Sequence, residues 1–428
     1  MRVLLVGSGG REHALAWKLA QSQRLSELHA VPGNPGIGRI ATLHPGSLTD
    51  LEGITQLAVR LSPDLVVVGP EAPLAAGLAD RIRDAGLACF GPSGAAARLE
   101  SSKAFAKSVM QTAGVPTARA IVCDTVAAAQ AAIAEMGGRV VVKADGLAAG
   151  KGVTVCDSAA EAQAAAEGCL VEGDFGQAGR RVLIEERLEG PELSLLALCD
   201  GEHVLPLAPA RDHKRALDGD MGPNTGGMGA FSPVPDAGGD LIDEIVAAVH
   251  QPVVAELARL GTPFRGCLYA GLMLTAAGPR VIEFNVRFGD PEAQVILPRL
   301  DADLLELLSR AATGSLAGAA APATDDACVT VVVASRGYPE APVTGGAITG
   351  IAAADALEGV MVFHAGTAQP DGELLAAGGR VLNVTACGRD FAEARRKAYA
   401  AVDLIHLEGS MHRTDIALGA ERTDHVHA

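Results

Sequence analysis

The sequence predicts a multidomain protein of the α/β and α+β classes whose N-terminal domain is built on a parallel sheet. The chain has 428 residues, which is enough for two to four domains with real cores. Residues 1–100 alternate short apolar runs with helical stretches, the pattern of parallel strands with crossover helices. Later strand signals come in pairs around glycine-rich turns, which indicates antiparallel hairpins and further αβ units.

The N-terminal domain is predicted to place three tight turns at the carboxyl ends of its strands. Strands are expected at 2–6, 28–31, 65–68 and 88–90, with helices at 12–21 and 74–85. The turns read G7-S-G-G-R-E-H13, P32-G-N-P-G36 and G69-P-E-A-P73. Such a set favours a crevice for a phosphate-bearing ligand, although each turn alone could be a plain loop. The first turn is a poor match to the dinucleotide-binding fingerprint, because Glu12 occupies its third glycine position.

A helix over residues 101–113, ended by Gly114 and Pro116, is predicted to leave this domain. It leads into a compact αβ unit at 117–190 that contains VVVKADGLAAGKGVTV, residues 140–155. Two β-branched runs around three glycines predict a hairpin whose tip can approach a phosphate, with Lys143 and Lys151 supplying charge. The motif is not a Walker A loop, because Gly152 stands where Ser or Thr should bind magnesium. A purely structural hairpin remains the alternative.

An acidic strand closes this unit. Residues 182–188 read VLIEERL, so Glu185 and Glu186 end an apolar run, and Glu192 follows. We expect an edge of backbone and carboxylate on the same side as the hairpin. A solvated strand end is the alternative interpretation.

The densest polar motifs lie between residues 193 and 310. R211-D-H-K-R215 is followed by D218-G-D-M-G-P-N-T-G-G-M-G229, which we interpret as a substrate loop rather than a disordered one. A sheet pair is predicted at 267–274 and 280–284, ending in E283-F-N285. Glu283 and Asn285 share one face of a strand, and two hard oxygen ligands there predict a magnesium site.

The remainder is predicted to be a linker and a last αβ unit. Residues 311–326, rich in Ala, Gly, Pro and Thr, indicate the linker. Strands follow at 328–334, 360–364 and 381–386, with a glycine turn at 378–380 and a helix at 391–404. The tail from 418 to 428 holds two histidines and is expected to be frayed rather than metal-binding.

Composition excludes several classes of protein. The net charge of −16 argues against a nucleic-acid binder, and no apolar run reaches the length of a membrane span. The start lacks the features of a signal peptide, and eight cysteines are scattered singly, so a cytoplasmic location is expected. Only seven of the 35 basic residues are lysine, and four of them lie in the motifs above: Lys103, Lys143, Lys151 and Lys214.

Taken together, the motifs GSGGREHAL, PGNPG, GPEAPL, VVVKADGLAAGKGV, DHKR…GDMGPNTGGMGAFSP and VIEFNVRFGDPE resemble the glycinamide ribonucleotide synthetase family. This is a family of phosphoribosylamine–glycine ligases, which are ATP-grasp enzymes of purine synthesis. The resemblance runs from residue 1 to about residue 416 and is most specific at 219–233 and 283–292. It implies an N-terminal domain (1–100), a connecting helix (101–116), an ATP-grasp lid (117–190), an ATP-grasp core (191–325) and a C-terminal αβ domain (326–428).

The resemblance also implies an ATP site with a divalent metal. Lys103 and Lys143 would hold the phosphates. Residues 146–152 would form a flap over them, with Gly146, Gly150, Lys151 and Gly152 as contacts. Glu185 and Leu188 would lie at the adenine, and Glu192 at the ribose hydroxyls. Glu283 and Asn285 would bind Mg²⁺ or Mn²⁺.

The two other substrates, glycine and phosphoribosylamine, are assigned to neighbouring parts of the crevice. The resemblance implies that glycine and its acyl phosphate are surrounded by Arg287, Asp290, Asp212, Lys214, Asn224 and Thr225. The phosphoribosyl end would be received by Gly9, Gly10, Asn34 and Gly36. Lys143, Arg287, Asp212 and Asp290 would be the catalytic residues. A change to Leu193, where the family more often has Ala, is expected to be harmless, and no contact is assigned to the divergent segment after Ile416.

Rival interpretations remain open at this point. A biotin-carboxylase-like or purine-carboxylating enzyme would share the lid and the metal pair but would not need residues 223–229. A NAD-binding oxidoreductase could be argued from residues 7–10, and a nucleotide-binding regulatory module would lack turnover altogether. The expected partners are small molecules, without nucleic acid or membrane, and the expected state is a monomer or weak dimer.

Overall fold

The structure is a computed structural model that describes residues 1–148 and 152–420. The predicted flap residues Gly150 and Lys151 lie outside the described residues, as do the two tail histidines, His425 and His427. None of the helices within the described ranges combines the length and apolar character needed to cross a bilayer.

The N-terminal domain is a five-stranded parallel sheet in the order β3-β2-β1-β4-β5. Its topological switch point, where doubly wound sheets bind ligands, lies between β1 and β4. The sequence-predicted strands are all present, and the predicted helix at 74–85 is two helices separated at Gly77, whose φ of 85° is left-handed. The elements are β1 (Arg2–Gly7), α1 (Gly10–Leu19), β2 (Glu27–Pro32), β3 (Thr42–Leu43), α2 (Leu51–Leu61), β4 (Leu65–Val68), α3 (Glu71–Ala75), α4 (Leu78–Asp84) and β5 (Cys89–Phe90).

The helix predicted at 101–113 is also two helices, α5 (Gly94–Ser101) and α6 (Lys103–Ala113). Ser102 between them has an extended backbone, and its hydroxyl accepts a hydrogen bond from the Phe105 amide. Serine favours this N-cap role over a helix interior, which accounts for the break. As a result, Lys103 is the first residue of α6.

The next unit is a four-stranded antiparallel sheet in the order β6-β9-β7-β8. The strand that carries Glu185 lies between two others, so the expectation that it forms an edge is wrong. The unit has an apolar core separate from the other two cores of the described residues. Its elements are β6 (Ala120–Cys123), α7 (Val126–Glu135), β7 (Val140–Ala144), β8 (Val153–Val155), α8 (Ala159–Glu167) and β9 (Val182–Glu186).

A second antiparallel sheet, β11-β10-β16-β17, contains the predicted strand pair at 267–274 and 280–284. The predicted substrate loop is ordered and contains a two-stranded hairpin, β13 and β14. The elements are β10 (Glu192–Asp200), β11 (Val204–Pro206), β12 (Arg211–Asp212), β13 (Arg215–Leu217), β14 (Met221–Asn224), β15 (Gly229–Ser232), α9 (Gly239–Ile245), α10 (Gln251–Arg259), β16 (Arg265–Thr275), β17 (Gly278–Asn285), α11 (Ala293–Arg299) and α12 (Leu304–Thr313).

The C-terminal sheet, in the order β12-β15-β18-β22-β19, takes two strands from the middle of the chain. The predicted linker is fixed rather than loose, because Arg299 donates to the carbonyls of Thr324 and Asp326, and the Leu316 amide to Asp200. The elements are β18 (Ala327–Ala334), α13 (Ile351–Asp355), β19 (Val360–His364), β20 (Thr367–Ala368), β21 (Leu375–Ala376), β22 (Arg380–Gly388) and α14 (Phe391–Val402).

Candidate active site

A buried pair of lysines meets a single carboxylate where the small sheet faces β17. Lys143 on β7 and Glu185 on β9 are 3% and 2% exposed, and Lys143 Nζ lies 2.9 Å from Glu185 Oε2. Lys107 on α6 approaches the same oxygen at 3.3 Å. Lys143 also donates to the Ile282 carbonyl at 2.9 Å. The Glu185 side chain is therefore engaged by two cations through one of its two carboxylate oxygens.

Lys103 lies at the start of α6 and faces the glycine-rich turn. Its Nζ donates to the carbonyls of Ala144 (2.9 Å) and Gly146 (3.0 Å). Asp145 completes the helix start by accepting from the Ala104 amide and the Ser102 hydroxyl. Burial lowers the pKa of the Lys103 ammonium, with Glu283 opposing that shift. Lys103 thus contacts the described part of the predicted flap, and its charge interacts with that of Lys143.

Glu283 and Asn285 carry oxygen-bearing side chains of the kind that a divalent metal prefers. The pairing register between β16 and β17 shifts beside Glu283, leaving Ile282 without a partner opposite. Among the described residues, the Glu283 carboxylate makes no hydrogen bond and no ion pair. Burial would raise its pKa, but Lys214, Lys143, Lys103 and Arg287 outweigh that and hold the pKa below its usual value. An ionised carboxylate without a direct partner, two residues from an amide oxygen, is a donor set that hard cations prefer.

Arg287 is already engaged by other residues of the chain. Its Nη2 donates to Glu100 Oε1 and to Asn285 Oδ1, both at 3.0 Å, and its Nε donates to Glu71 at 3.3 Å. Nη1 donates to the Phe288 carbonyl. Because a guanidinium has five N–H groups, one on Nη1 is left for a ligand. Bidentate pairing with a glycine carboxylate would require Glu71 or Glu100 to move away.

Lys214 forms a link between Asp212 and Glu192. Its Nζ lies 3.2 Å from Asp212 Oδ1 and makes a short contact with Glu192 Oε2. Burial raises the pKa of the Asp212 carboxyl to about 7, against the opposing effect of Lys214. The structure therefore joins a residue predicted at the ATP ribose to two residues predicted at glycine.

A buried hydrogen-bond network of Ser194, Tyr269 and Glu292 adjoins this cluster. Tyr269 Oη donates to Glu292 Oε1 at 2.8 Å, and the Ser194 hydroxyl lies 2.9 Å from Tyr269 Oη and 3.2 Å from the same carboxylate oxygen. All three side chains are buried. Glu292 adds negative charge near both Asp212 and Arg287.

Asp290 lies close to both the N-terminal domain and the C-terminal sheet. Its Oδ2 lies 3.5 Å from Arg380 Nη2 of the C-terminal sheet and 3.5 Å from the position that a Cβ on Gly9 would take. Gln294 donates to its Oδ1 at 2.8 Å. Arg380 Nη1 donates to the carbonyls of Asp290 (2.8 Å) and Gly226, so Arg380 bridges the substrate loop and Asp290.

Three of the four residues predicted at the phosphoribosyl end are buried. Asn34 donates both amide hydrogens to the carbonyls of Ser8 and His364 and accepts from the Ile37 amide. A Cβ on Gly10 would lie 2.1 Å from the Asn383 amide nitrogen, and one on Gly36 would lie 2.3 Å from His13. Gly9 alone of the four is not buried. These residues therefore form the turns themselves.

The first turn also excludes a dinucleotide. Glu12 Oε2 accepts from the Gly9 amide at 2.6 Å, and its side chain fills the space that a Cβ at Gly7 or Gly69 would need. This carboxylate lies where a pyrophosphate would have to bind at the ends of β1 and β4. The interpretation as a NAD-binding oxidoreductase therefore has no support here.

The remaining predicted contacts, Asn224, Thr225 and Leu188, lie in different surroundings. Asn224 lines a cleft of about 280 Å³ between the small sheet and the C-terminal domain, together with Val153, Thr154, Val155, Arg215, Pro223, Pro339 and Glu340. Thr225 is buried, and its hydroxyl donates to the Lys214 carbonyl. Leu188 is half-buried just beyond β9.

Several residues of the cluster were not singled out from the sequence as site residues: Lys107, Glu71, Glu100, Ser194, Tyr269, Glu292 and Arg380. Some signals existed. Lys107 lies one turn after Lys103 in the same helix, Glu71 lies within GPEAP, and Arg380 ends the glycine turn at 378–380. Nothing in the local sequence distinguishes Glu100 or Tyr269.

The chain is similar to family models and to known proteins along nearly its whole length. Three models of phosphoribosylglycinamide synthetase match in order: the N domain at residues 1–100, the ATP-grasp (A) domain at 101–293 and the C domain at 328–419. Phosphoribosylamine–glycine ligase of Streptomyces coelicolor is 56% identical over 424 residues, covering 98% of this chain and 99% of that protein. The enzyme of that name from Mesorhizobium japonicum is 51% identical, covering 97% of each chain.

Solved structures give the same picture. The crystal structure of phosphoribosylamine–glycine ligase from Thermotoga maritima is similar with a TM-score of 0.84 at 36% identity, covering 97% of this chain and all of that one. A biotin carboxylase from Campylobacter jejuni has a TM-score of 0.71 at 15% identity, covering 96% of this chain and 92% of its own, which shows a shared fold alone.

Proposed function

The chain belongs to the phosphoribosylglycinamide synthetase family, and on that premise we propose that it is the ATP-dependent ligase that joins glycine to 5-phosphoribosylamine. The products are glycinamide ribonucleotide, ADP and phosphate, a step of purine biosynthesis. The observation that supports this most directly is the convergence of Lys103, Lys143 and Lys214 around the ionised Glu283, beside the substrate loop. That arrangement suits a nucleotide triphosphate with a metal next to a small amino acid.

ATP-grasp enzymes use ATP with a divalent metal ion, and the residues present fit one. We assign the metal, Mg²⁺ or Mn²⁺, to Glu283 and Asn285. When bound, such a cation neutralises charge on the transferred phosphoryl group. The phosphates themselves are assigned to Lys103, Lys143 and the glycine-rich turn, the adenine to the end of β9 near Leu188, and the ribose to Glu192.

The first step activates glycine. A carboxylate does not react with amines at neutral pH, because its oxygens are poor leaving groups. An oxygen of the glycine carboxylate attacks the γ-phosphorus of ATP, the bond to the β-phosphate oxygen breaks, and glycyl phosphate and ADP result. Lys143 and Arg287 spread the charge that develops on the transferred group. Arg287 can do so through its remaining Nη1 hydrogen while Glu71 and Glu100 hold its orientation.

The second step forms the amide bond. The amine of phosphoribosylamine attacks the carbonyl carbon of glycyl phosphate, the bond from that carbon to the phosphate oxygen breaks, and the amine loses a proton. Asp212, with a pKa of about 7, can accept this proton near neutral pH. Asp290 is assigned to the surroundings of glycine, and the phosphoribosyl end is assigned to the turns at Gly9, Gly10, Asn34 and Gly36. Positioning in a closed, dry site supplies most of the rate.

The wider assignments follow from the same proposal. We propose the domain limits given above, with residues 117–190 as the lid and 191–325 as the core. Small molecules are the partners, and we propose a monomer or weak dimer. A cytoplasmic location is in keeping with eight cysteines that are all free thiols.

The test measures ADP release by the full chain. Glycine and phosphoribosylamine are supplied alone and together, with bicarbonate as a comparison substrate. We expect rapid, stoichiometric ADP and glycinamide ribonucleotide only when both are present. ADP release that depends on bicarbonate would instead indicate a carboxylating enzyme, and no release under any condition would indicate a nucleotide-binding module.

A further inference from the structure

The hairpin of β13 and β14 carries predicted substrate residues but lacks support of its own. Lys214 precedes β13, and Asn224 ends β14, so both lie at the open end of residues 214–225. The two strands form a separate two-stranded sheet. Leu217 and Met221 near the tip are 51% and 64% exposed, so apolar packing does not hold the tip. An isolated two-stranded hairpin is marginally stable in water at best.

The tip also has an unfavourable backbone. Gly219 and Asp220 both have positive φ values, 67° and 54°. Left-handed backbone is uncommon at a residue other than glycine and needs support from its surroundings. Something outside the hairpin must therefore hold residues 218–220.

The end of the described chain supplies these contacts. Residues 413–417, here called the C-terminal strap, lie against the tip. Arg413, 1% exposed, donates to Asp220 Oδ1 at 2.8 Å and to the Arg215 carbonyl at 3.1 Å. Thr414 donates to Asp218 through its amide (2.8 Å) and its hydroxyl (2.5 Å). In return, the Gly219 amide donates to Asp415 Oδ2 at 2.8 Å.

The C-terminal strap is itself fixed to the C-terminal domain. Both oxygens of Asp415 accept from Arg413 at 2.7 Å, which orients the guanidinium. Tyr399 on α14 donates to the Arg413 carbonyl and accepts from the Ile416 amide. Ile416 is fully buried, and a Cβ on Gly229 of β15 would lie 2.7 Å from its Cδ1. The strap therefore links α14 and β15 to the hairpin.

One contact reaches the site directly. The Ala417 amide donates to His213 Nε2 at 3.2 Å, and His213 lies between Asp212 and Lys214 in the chain. Burial lowers the pKa of His213 to about 4, so the ring is neutral and can accept this bond. The strap thus holds both ends of the hairpin.

We infer that Arg413, Thr414 and Asp415 are positioning residues for the ligase reaction, because they hold the hairpin so that Lys214 and Asn224 stand at the glycine site. The inference rests on the proposed function for the identity of the substrate, whereas the contacts stand without it. The strap acts through the hairpin and touches no substrate. It gives residues 413–417 a role in a reaction whose other parts lie far away in the sequence.

The experiment uses exposed positions that the fold tolerates. Asp218→Ala and Thr414→Val, singly and together, are compared in the full-length chain with Asp371→Ala, a matched change at an exposed aspartate remote from the hairpin. Hydrogen exchange is followed over residues 214–225, and KM and kcat are measured for glycine and for ATP. We expect exchange to rise and the glycine KM to increase, each by about tenfold for Asp218→Ala, with little change for ATP. The double variant should be no worse than the stronger single variant, because both remove one shared contact.

The outcomes separate this inference from the proposed function. Unchanged exchange, or faster exchange with an unchanged glycine KM, overturns the positioning role. A fall in kcat with every KM unchanged indicates loss of folded protein and also overturns it. If the wild-type chain shows no ligase activity, the proposed function fails, while the exchange measurement still decides whether the strap orders the hairpin.

Discussion

Arg287 holds two acidic side chains from the first hundred residues before any ligand arrives. Its guanidinium joins Glu71, Glu100 and Asn285 by directed hydrogen bonds. In the Arg287→Lys variant a single ammonium cannot reproduce this fork. We expect a higher glycine requirement and lower turnover together, with a midpoint of thermal unfolding lower by about 2–4 °C. Steady-state kinetics and calorimetry measure these effects.

The phosphoribosylamine requirement serves as the internal comparison for this variant. It should change little, because that substrate is assigned to the turns at Gly9 and Asn34. A variant impaired only toward phosphoribosylamine would show that the two substrates have been placed in the wrong halves of the crevice.

Glu283 provides a second prediction at the same scale. Glu283→Gln keeps the shape of the side chain but removes its charge, so the site loses its anionic metal ligand. Activity at saturating magnesium should fall by about 10²–10³-fold. Glu373→Gln, the same change at an exposed position, should leave activity unaltered. Titration of Mn²⁺ in the presence of an ATP analogue should show weaker binding only for Glu283→Gln. If the Glu283→Gln variant keeps wild-type activity at limiting magnesium, Glu283 is not a metal ligand.

These residues also show what the sequence could reveal. The spacing of Glu283 and Asn285 is visible because a strand repeats every two residues. The partners of Arg287 are not visible, since Glu71 and Glu100 lie 216 and 187 residues away along the chain. Asn34 illustrates the same limit: its turn motif suggested ligand binding, but a carbonyl 330 residues distant already accepts its amide.

Among the elements, we expect the small sheet of β6, β7, β8 and β9 to move as a unit when nucleotide binds. Its apolar core is separate, and polar contacts such as Lys143 to the Ile282 carbonyl attach it to β17. Closure on nucleotide should therefore protect its glycine-rich turn. We expect hydrogen exchange over residues 146–152 to slow by about tenfold or more when a non-hydrolysable ATP analogue binds. The peptide covering β1 is the control, and equal exchange at residues 146–152 with and without nucleotide would remove the turn from the site.

Element positions were predictable where the pattern is local. The buried strands of the first domain are apolar runs, and their helices follow them. The break at Ser102 was missed because helical periodicity continues across it, whereas the cap depends on one hydroxyl. The inner position of β9 depends on strand order, which no local pattern encodes.

At the scale of the whole molecule, the lysines are concentrated at the candidate site although the chain as a whole is acidic. The chain carries a net charge of −16, yet four of its seven lysines, Lys103, Lys107, Lys143 and Lys214, surround the candidate site. Anionic substrates thus meet a concentration of lysines, beside the carboxylates that pair with them, inside an acidic protein. The C-terminal sheet borrows β12 and β15 from the middle of the chain, so residues 326–428 alone lack two of its strands.

The C-terminal strap also links catalysis to the order of protein synthesis. Residues 413–417 leave the ribosome after the nucleotide-binding residues, which can begin to fold before the strap is available. During that interval the turn at 218–220 lacks the contacts that Arg413, Thr414 and Asp415 provide. We therefore expect the part of the site that holds Lys214 and Asn224 to become ordered after the nucleotide-binding part.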